Sequence, residues 1–281
     1  DLAMRVVAQK LSEQTGQPFV IDNRAGAGGM IGTDVAAKAA PDGYTILAAS
    51  SGPVTINPIV QAKVPYDPER DLASVGITGM SPYLLVTTPS FPANNIREFI
   101  ALVRANPDKY TFASSGTGAT AHLIAEWFNS RAGLKAVHVP YKGSGPALTD
   151  VMSGQVAYAI ETLATTNPLA KSGKLKALGI SIAKGSTLAP TVPTIEKAAE
   201  LAGFDAGAWL GVMVPTGTPK PIIDRLAAEI AKAMTAPDLR EKYDAISVEI
   251  DYRPPEAMTE YLKAQKAIFS QIVKSANIKP E

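Results

Sequence analysis

The chain says nearly the same thing twice, as PDGYTILAASSG at residues 41–52 and as PDKYTFASSGTG at residues 107–118. Each copy is a short β-type run that empties into Ser-Ser-Gly. A strand that ends this way before a helical pattern is a recurrent junction of α/β folds, in which ligands lie beyond the carboxyl ends of strands where helix N-termini gather. Glycine lets the backbone approach a ligand, serine hydroxyls donate or accept, and the free amides of a helix's first turn carry about half a positive charge. Taken singly, either copy is more often plain cap and turn chemistry than a site. Taken as a pair, they read as two halves of one anion-binding site.

Outward from these junctions the pattern keeps alternating. PFVID (18–22) reads as a strand, GAGGMIGTDVAAKAA (26–40) as a glycine loop entering a helix, and YTILAAS (44–50) as the next strand. Segment 72–90 holds two β-rich runs, and a helix starts at Asn95. Then come YTFASS (110–115), a helix from Ala119 to Ala132, KAVHVPY (135–141), a helix through GPALTDVMSG, VAYAIE (156–161), a short helix and LKALGIS (175–181). AWLGVMVP (208–215) reads as a buried strand. Ile222, Leu226, Ile230 and Met234 share one helical face, and Met258, Leu262, Ile268, Phe269 and Ile272 share another. The pattern predicts an α/β fold of mostly parallel sheets flanked by helices. Proline-bearing breaks near residues 89 and 215 predict two crossings between domains. Domain one is then 1–88 with 215–281, domain two is 89–214, and the ligand cleft lies between them. Asp1 reads as the N-cap of a helix carrying Leu2, Val6, Val7 and Leu11, so a strand and its turn are expected to precede it.

Composition narrows the chemistry. Of 281 residues, 46% are hydrophobic and 19% charged, and 27 basic against 26 acidic residues leave a formal net charge of +1. That is an ordinary soluble globule with no support for nucleic acid or an anionic membrane surface as partner. The absence of cysteine removes thiol nucleophiles, disulfides and thiolate metal sites. No apolar run approaches the ~18–20 residues of a membrane span, so direct membrane insertion is not expected. DLAMRVVAQKLSEQ reads as an amphipathic helix and not as a secretion signal. GTGATA (116–121) fits G-x-G-x-x-A between a strand and a helix, which keeps a nucleotide-cofactor enzyme open as an alternative. The next strand, KAVHVPYKG, ends without the acidic residue that would hold a ribose. A phosphate-loop motif is absent, and Ser144 in YKGSG does not make a hydrolase elbow. The two histidines, His122 and His138, lack a carboxylate cluster at ligand spacing. His138 reads as a core histidine. His122, in a helix's first turn, reads as core more often than as a ligand contact.

Three segments carry a family resemblance: VAQKLSEQTGQPFVIDNRAGAGGMIGTDVAAKAAPDGYTIL, VHVPYKGSGPALTDVMSGQV and VPTGTPKPIIDRLAAEI. They resemble the substrate-binding proteins of tripartite tricarboxylate transporters, the TctC-like or Bug family, and the likeness runs from residue 1 to the closing IKPE. The resemblance implies a periplasmic, two-lobed, type II-like Venus-flytrap protein that is not an enzyme and uses no cofactor or metal. It implies a small carboxylate ligand (a di- or tricarboxylate, an acidic amino acid or an aromatic acid), membrane permease subunits as partners, and a monomer. A binding module used for signalling is the further alternative.

The same resemblance implies Ser50, Ser51 and Gly52 as ligand contacts from domain one, and Ser115, Gly116, Thr117, Gly118, Thr120 and His122 from domain two. Members usually begin with a strand and a PFPPGG-type loop ahead of the position of Asp1. Where relatives often have TSSGTHAINP this chain has ASSGPVTINP, and Pro53 removes one amide donor. Relatives commonly have Asp where YAIE ends. Glu161 there would repel a second ligand carboxylate unless a cation, hydroxyl or ammonium met it; as a cap of the next helix it would never meet ligand. Thr162 and Thr165 would tune the far end. Arg24 and Lys142, the basic residues nearest these loops, are open between ligand pairing and ordinary surface ion pairs.

Overall fold

The computed structural model describes residues 2–24 and 26–278. Asp1, read as a helix cap, lies outside the described residues. The chain divides into two units, the first holding described residues up to Met80 with Ala208–Val273, the second Ser81–Gly207 with Lys274–Ile278.

The first unit opens with helices α1 (Leu2–Thr15) and α2 (Met30–Ala37), strand β1 (Leu47–Ser50), short helices α3 (Asn57–Val60) and α4 (Pro68–Asp71), and the start of β2 (Leu72–Thr87). The second unit takes the end of β2, then α5 (Ile96–Arg104), β3 (Thr111–Ser114), α6 (Thr120–Ala132), β4 (Val137–Pro140), α7 (Ser144–Ser153), β5 (Tyr158–Thr162), α8 (Leu163–Lys171), β6 (Lys176–Ile180) and α9 (Ile195–Ala198). The chain returns through β7 (Gly207–Pro215) to α10 (Lys220–Met234), α11 (Pro237–Ala245), β8 (Glu249–Arg253) and α12 (Pro255–Ser275).

In unit one the strands lie in the order β1-β7-β2-β8. Met4, Val7 and Leu11 of α1 meet Leu226, Ile230 and Met234 of α10 in one buried cluster, with Val75, Val212 and Val214 from the strands. Each such side chain contributes roughly 1.5–3 kcal/mol by leaving water. The face expected on α10 is therefore the packed one, although Ile222 is only partly covered. On α12 the buried seam runs Met258, Tyr261, Gln265, Phe269 and Ile272; Leu262 and Ile268 lie beside it, half-buried.

In unit two the order is β6-β2-β5-β3-β4. β2 runs antiparallel to both β5 and β6, while β5, β3 and β4 are mutually parallel. Aromatic rings fill the layer under this sheet: Tyr158 meets Phe99 edge-on at 4.9 Å, and Phe204 stacks on Trp127 at 4.5 Å.

Four sequence expectations change here. β5, β3 and β4 are parallel neighbours, but β1–β7, β2–β8, β2–β5 and β2–β6 are antiparallel. PFVID forms no strand. It keeps the alternation of one, with Phe19 and Ile21 packed on the unit-one core and Val20 84% exposed, but side-chain alternation without a ladder partner is not a strand. The two β-rich runs of 72–90 are one strand of 16 residues. Its glycines do not turn the chain: a Cβ on Gly79 would lie 2.8 Å from Val248 Cγ1, so glycine is there for close packing. Pro82 falls between the ladder to β8, which ends at Met80, and the ladder to β5, which starts at Tyr83, so its missing N–H breaks neither. The crossings between units accordingly fall within β2 and at the start of β7, several residues before the proline breaks at 89 and 215.

Candidate functional site

β5, β3 and β4 run parallel as neighbours, so Thr162, Ser114 and Pro140 end on one edge of the unit-two sheet, and α8, α6 and α7 begin just beyond them. Main-chain bonds knit two of these turns. Tyr141 N–H donates to the Ser114 carbonyl at 3.0 Å, and Gly143 N–H to the Ser115 carbonyl at 3.1 Å.

None of the three helices has a side-chain cap; their cap positions are Ala119, Gly143 and Thr162. Elsewhere Asp67, Asn95 and Thr194 cap α4, α5 and α9. The first N–H groups of a helix have no intrahelical acceptor. Among the described residues, those of Thr120, Ala121 and His122 on α6 and of Ser144 and Gly145 on α7 have no protein acceptor. Such ends favour an anion.

Three amides of the β3–α6 turn are already held. Ser115 N–H donates to Glu161 Oε1 at 2.8 Å, Gly116 N–H to Ser114 Oγ at 3.2 Å, and Gly118 N–H to His122 Nδ1 at 3.0 Å. Gly116 and Gly118 have φ of 147° and 73°, which only glycine adopts without strain, so the turn's path is built into its sequence. Glu161 is 1% exposed, and its second oxygen accepts from Ser144 Oγ at 2.8 Å. It neither caps α8 nor faces solvent. Among the described residues no basic side chain pairs with it. The phenol of Tyr83 is pushed up, first by burial and then by the charge of Glu161, with the Thr120 side chain pulling the other way.

His122 is 3% exposed and stacks on His138 with ring centroids 3.7 Å apart. Since its Nδ1 accepts from Gly118, its proton sits on Nε2, which lies 3.6 Å from Glu126 Oε1. His138 Nε2 lies 2.7 Å from Ser114 Oγ, and its pKa is lowered to about 4 by burial and by the neighbouring His122. Both imidazoles support the turn from within.

Of the remaining expected contacts, Thr117 is exposed, and Ser115, Gly116, Gly118, Thr120 and Thr162 are partly exposed. Thr162 Oγ1 pairs with Thr165 Oγ1 at 2.9 Å. Ser50, Ser51 and Gly52 belong to unit one, where β1 runs straight into a π-helical turn, Gly52–Ile56. π-turns recur at functional sites. Here Pro53 stands in the first turn, Tyr66 donates to its carbonyl at 2.7 Å, and Trp209 donates to Thr55 Oγ1 at 3.1 Å. Ser51 is buried, with Ser50 and Gly52 partly so. Arg24 pairs with Asp22 at 2.8 Å in an exposed ion pair.

Sequence reasoning missed Ser114, Ser144 and Tyr83 as parts of this site. Ser144 was legible as the first residue of a helix directly after a strand. The bond it makes to Glu161 joins segments that only the fold brings together.

The run Gly116–Ala121 does stand between a strand and a helix, with the amides of Ser115, Gly116 and Gly118 already held by Glu161, Ser114 and His122. Among the described residues no group of three or more His, Asp or Glu is placed to hold a metal ion, and no helix is long and apolar enough to cross a membrane.

The chain matches the tripartite tricarboxylate transporter family receptor over residues 3–278. It is 40% identical over 248 residues to protein BugT of Bordetella pertussis, covering 87% of this chain and 75% of that one. Among solved structures, R. palustris Rpa4515 with adipate is 33% identical with a TM-score of 0.78, covering 100% of this chain and 94% of that one. The periplasmic binding protein BugD is 30% identical with a TM-score of 0.73 at the same coverage.

Proposed function

Because the chain belongs to the tripartite tricarboxylate transporter receptor family, we propose that it is a periplasmic solute-binding protein that captures a small carboxylate and delivers it to the membrane permease of such a transporter, with no reaction of its own. One observation carries the ligand class: uncapped first turns on α6 and α7, at the carboxyl ends of adjoining parallel strands, leave amides without protein acceptors. A carboxylate at one such end gains roughly 0.3–1 kcal/mol when exposed and up to ~2 kcal/mol when partly buried. Adipate in Rpa4515 supports the same class. Thr117 and Thr120 are proposed as its contacts beside these amides, with Thr162 close by. Ser50, Ser51 and Gly52 are proposed as carboxylate contacts of unit one.

Thermal unfolding in the presence of succinate, malate, aspartate, adipate or citrate tests the reading. A carboxylate at 100 times its Kd adds about 2.7 kcal/mol of stability and raises the Tm accordingly. A response to NAD or ATP with none to any carboxylate would overturn it.

A further inference from the structure

We propose that Glu161 is a positioning residue: its carboxylate orders the β3–α6 turn for the ligand and does not touch the ligand itself. This rests on the carboxylate-receptor reading and names how that site is held in shape. The carboxylate is 1% exposed. Its two oxygens each hold one element of the site, Oε1 the Ser115 N–H at the end of β3 and Oε2 the Ser144 hydroxyl at the start of α7. β5, which carries Glu161, adjoins β3, so one side chain ties three strand–helix junctions together.

The burial and the bonds settle what Glu161 can do. A ligand ammonium or hydroxyl would need a carboxylate oxygen facing solvent, and neither oxygen does. Without the carboxylate, Ser115 N–H and Ser144 Oγ lose their acceptor in a partly buried place, which is costly, and the turn between them loses its anchor. The amides proposed to hold ligand, those of Thr120 and Ala121, start only a few residues beyond that anchor. Glutamine can replace the geometry: its Oε1 accepts from Ser115, and its amide NH2 donates to Ser144 Oγ, a hydroxyl that can reverse its role.

Three probes separate positioning from contact. Succinate, malate and aspartate share one carbon skeleton and differ only at C2, which carries hydrogen, hydroxyl or ammonium. For a positioning residue, Glu161→Ala weakens all three by the same factor, about tenfold for each lost buried hydrogen bond. Glu161→Gln recovers most of that loss, and Ser144→Ala gives a smaller uniform loss. Amide hydrogen exchange of the free protein gives a ligand-independent readout: Ser115 N–H loses protection in Glu161→Ala and keeps it in Glu161→Gln.

A selective loss for malate or aspartate in Glu161→Gln would make Glu161 a contact and overturn the proposal, as would unchanged Ser115 exchange in Glu161→Ala. If the unaltered protein binds none of the probes, the receptor reading fails and the ligand half of this proposal falls with it. The exchange experiment then still decides whether Glu161 holds the turn.

Discussion

Capping α6 should make the free protein more stable and a poorer receptor at the same time. Ala119 occupies the cap position with φ −65° and ψ 156°, the extended geometry in which Ser or Asp side chains reach the N–H of the second or third helical residue. Alanine has no such group, so the amides of Thr120, Ala121 and His122 wait without an acceptor. Ala119→Ser supplies a neutral acceptor, worth about 1 kcal/mol at this kind of position. Ala119→Asp adds the attraction of a carboxylate for the helix end, another ~0.3–1 kcal/mol, part of which the buried charge of Glu161 offsets. Either side chain also takes an amide from a ligand carboxylate, so the ligand loses about what the free protein gains, a five- to tenfold rise in Kd for ~1–1.4 kcal/mol. Differential scanning calorimetry of the free variants and isothermal titration with malate read the two effects separately. A variant that gains stability while keeping full malate affinity would show that the ligand does not use the α6 amides. Unchanged stability with unchanged affinity would show that these amides already have partners.

Three further outcomes follow from single contacts. Acidification should destabilise unit two through His138: its folded pKa of about 4 lies below the unfolded value of 6.5, so the unfolded chain takes up the proton first. The stability this group contributes is whole above pH 6.5 and falls as pH drops towards 4. Urea unfolding followed by tryptophan fluorescence should therefore show a pH slope that His138→Phe flattens, and equal slopes in the two proteins would refute the assignment. Gly211→Ala should cost roughly 1–3 kcal/mol in a thermal melt, because its Cβ would lie 2.7 Å from the Gly76 carbonyl oxygen of the adjacent backbone. Asn95→Ala should cost about 1 kcal/mol, since the Asn95 side chain accepts the Glu98 N–H at 3.0 Å while Glu98 reaches back to Asn94 N–H at 2.8 Å.

Local signals were legible where local physics decides. Asn95 three residues before Glu98 marked the start of α5, and the periodic faces of α10 and α12 marked their cores. β8 and α11 escaped because PDLREKYDAISVEIDYR is mostly polar, and its few buried groups, such as Leu239, Tyr243 and Val248, are set by neighbours from β2 and the core. PFVID shows the reverse error, a strand pattern without a partner strand. In the site, the residue types were visible, but their assignments depended on long-range bonds. Glu161 could be read as ligand contact or as helix cap, and the Ser115–Glu161–Ser144 bridge that replaces both joins residues from three separate segments.

The repeated Ser-Ser-Gly makes the same point about what a short string can specify. After Gly116 comes Thr-Gly, and the left-handed backbone at Gly116 and Gly118 spaces the strand from the helix by a loop. Ala119 then enters α6 from an extended conformation, which aims three first-turn amides away from the turn's own bonds. After Gly52 comes Pro53, whose fixed φ suits a helix's first turn. There Ser51 is already helical at φ −56° and ψ −38°, the chain enters the π-turn without a loop, and Pro53 has no N–H to give. Two near-identical junctions thus part after the shared glycine, one into a glycine loop and an extended cap position, the other straight into a π-turn whose proline has no amide to offer.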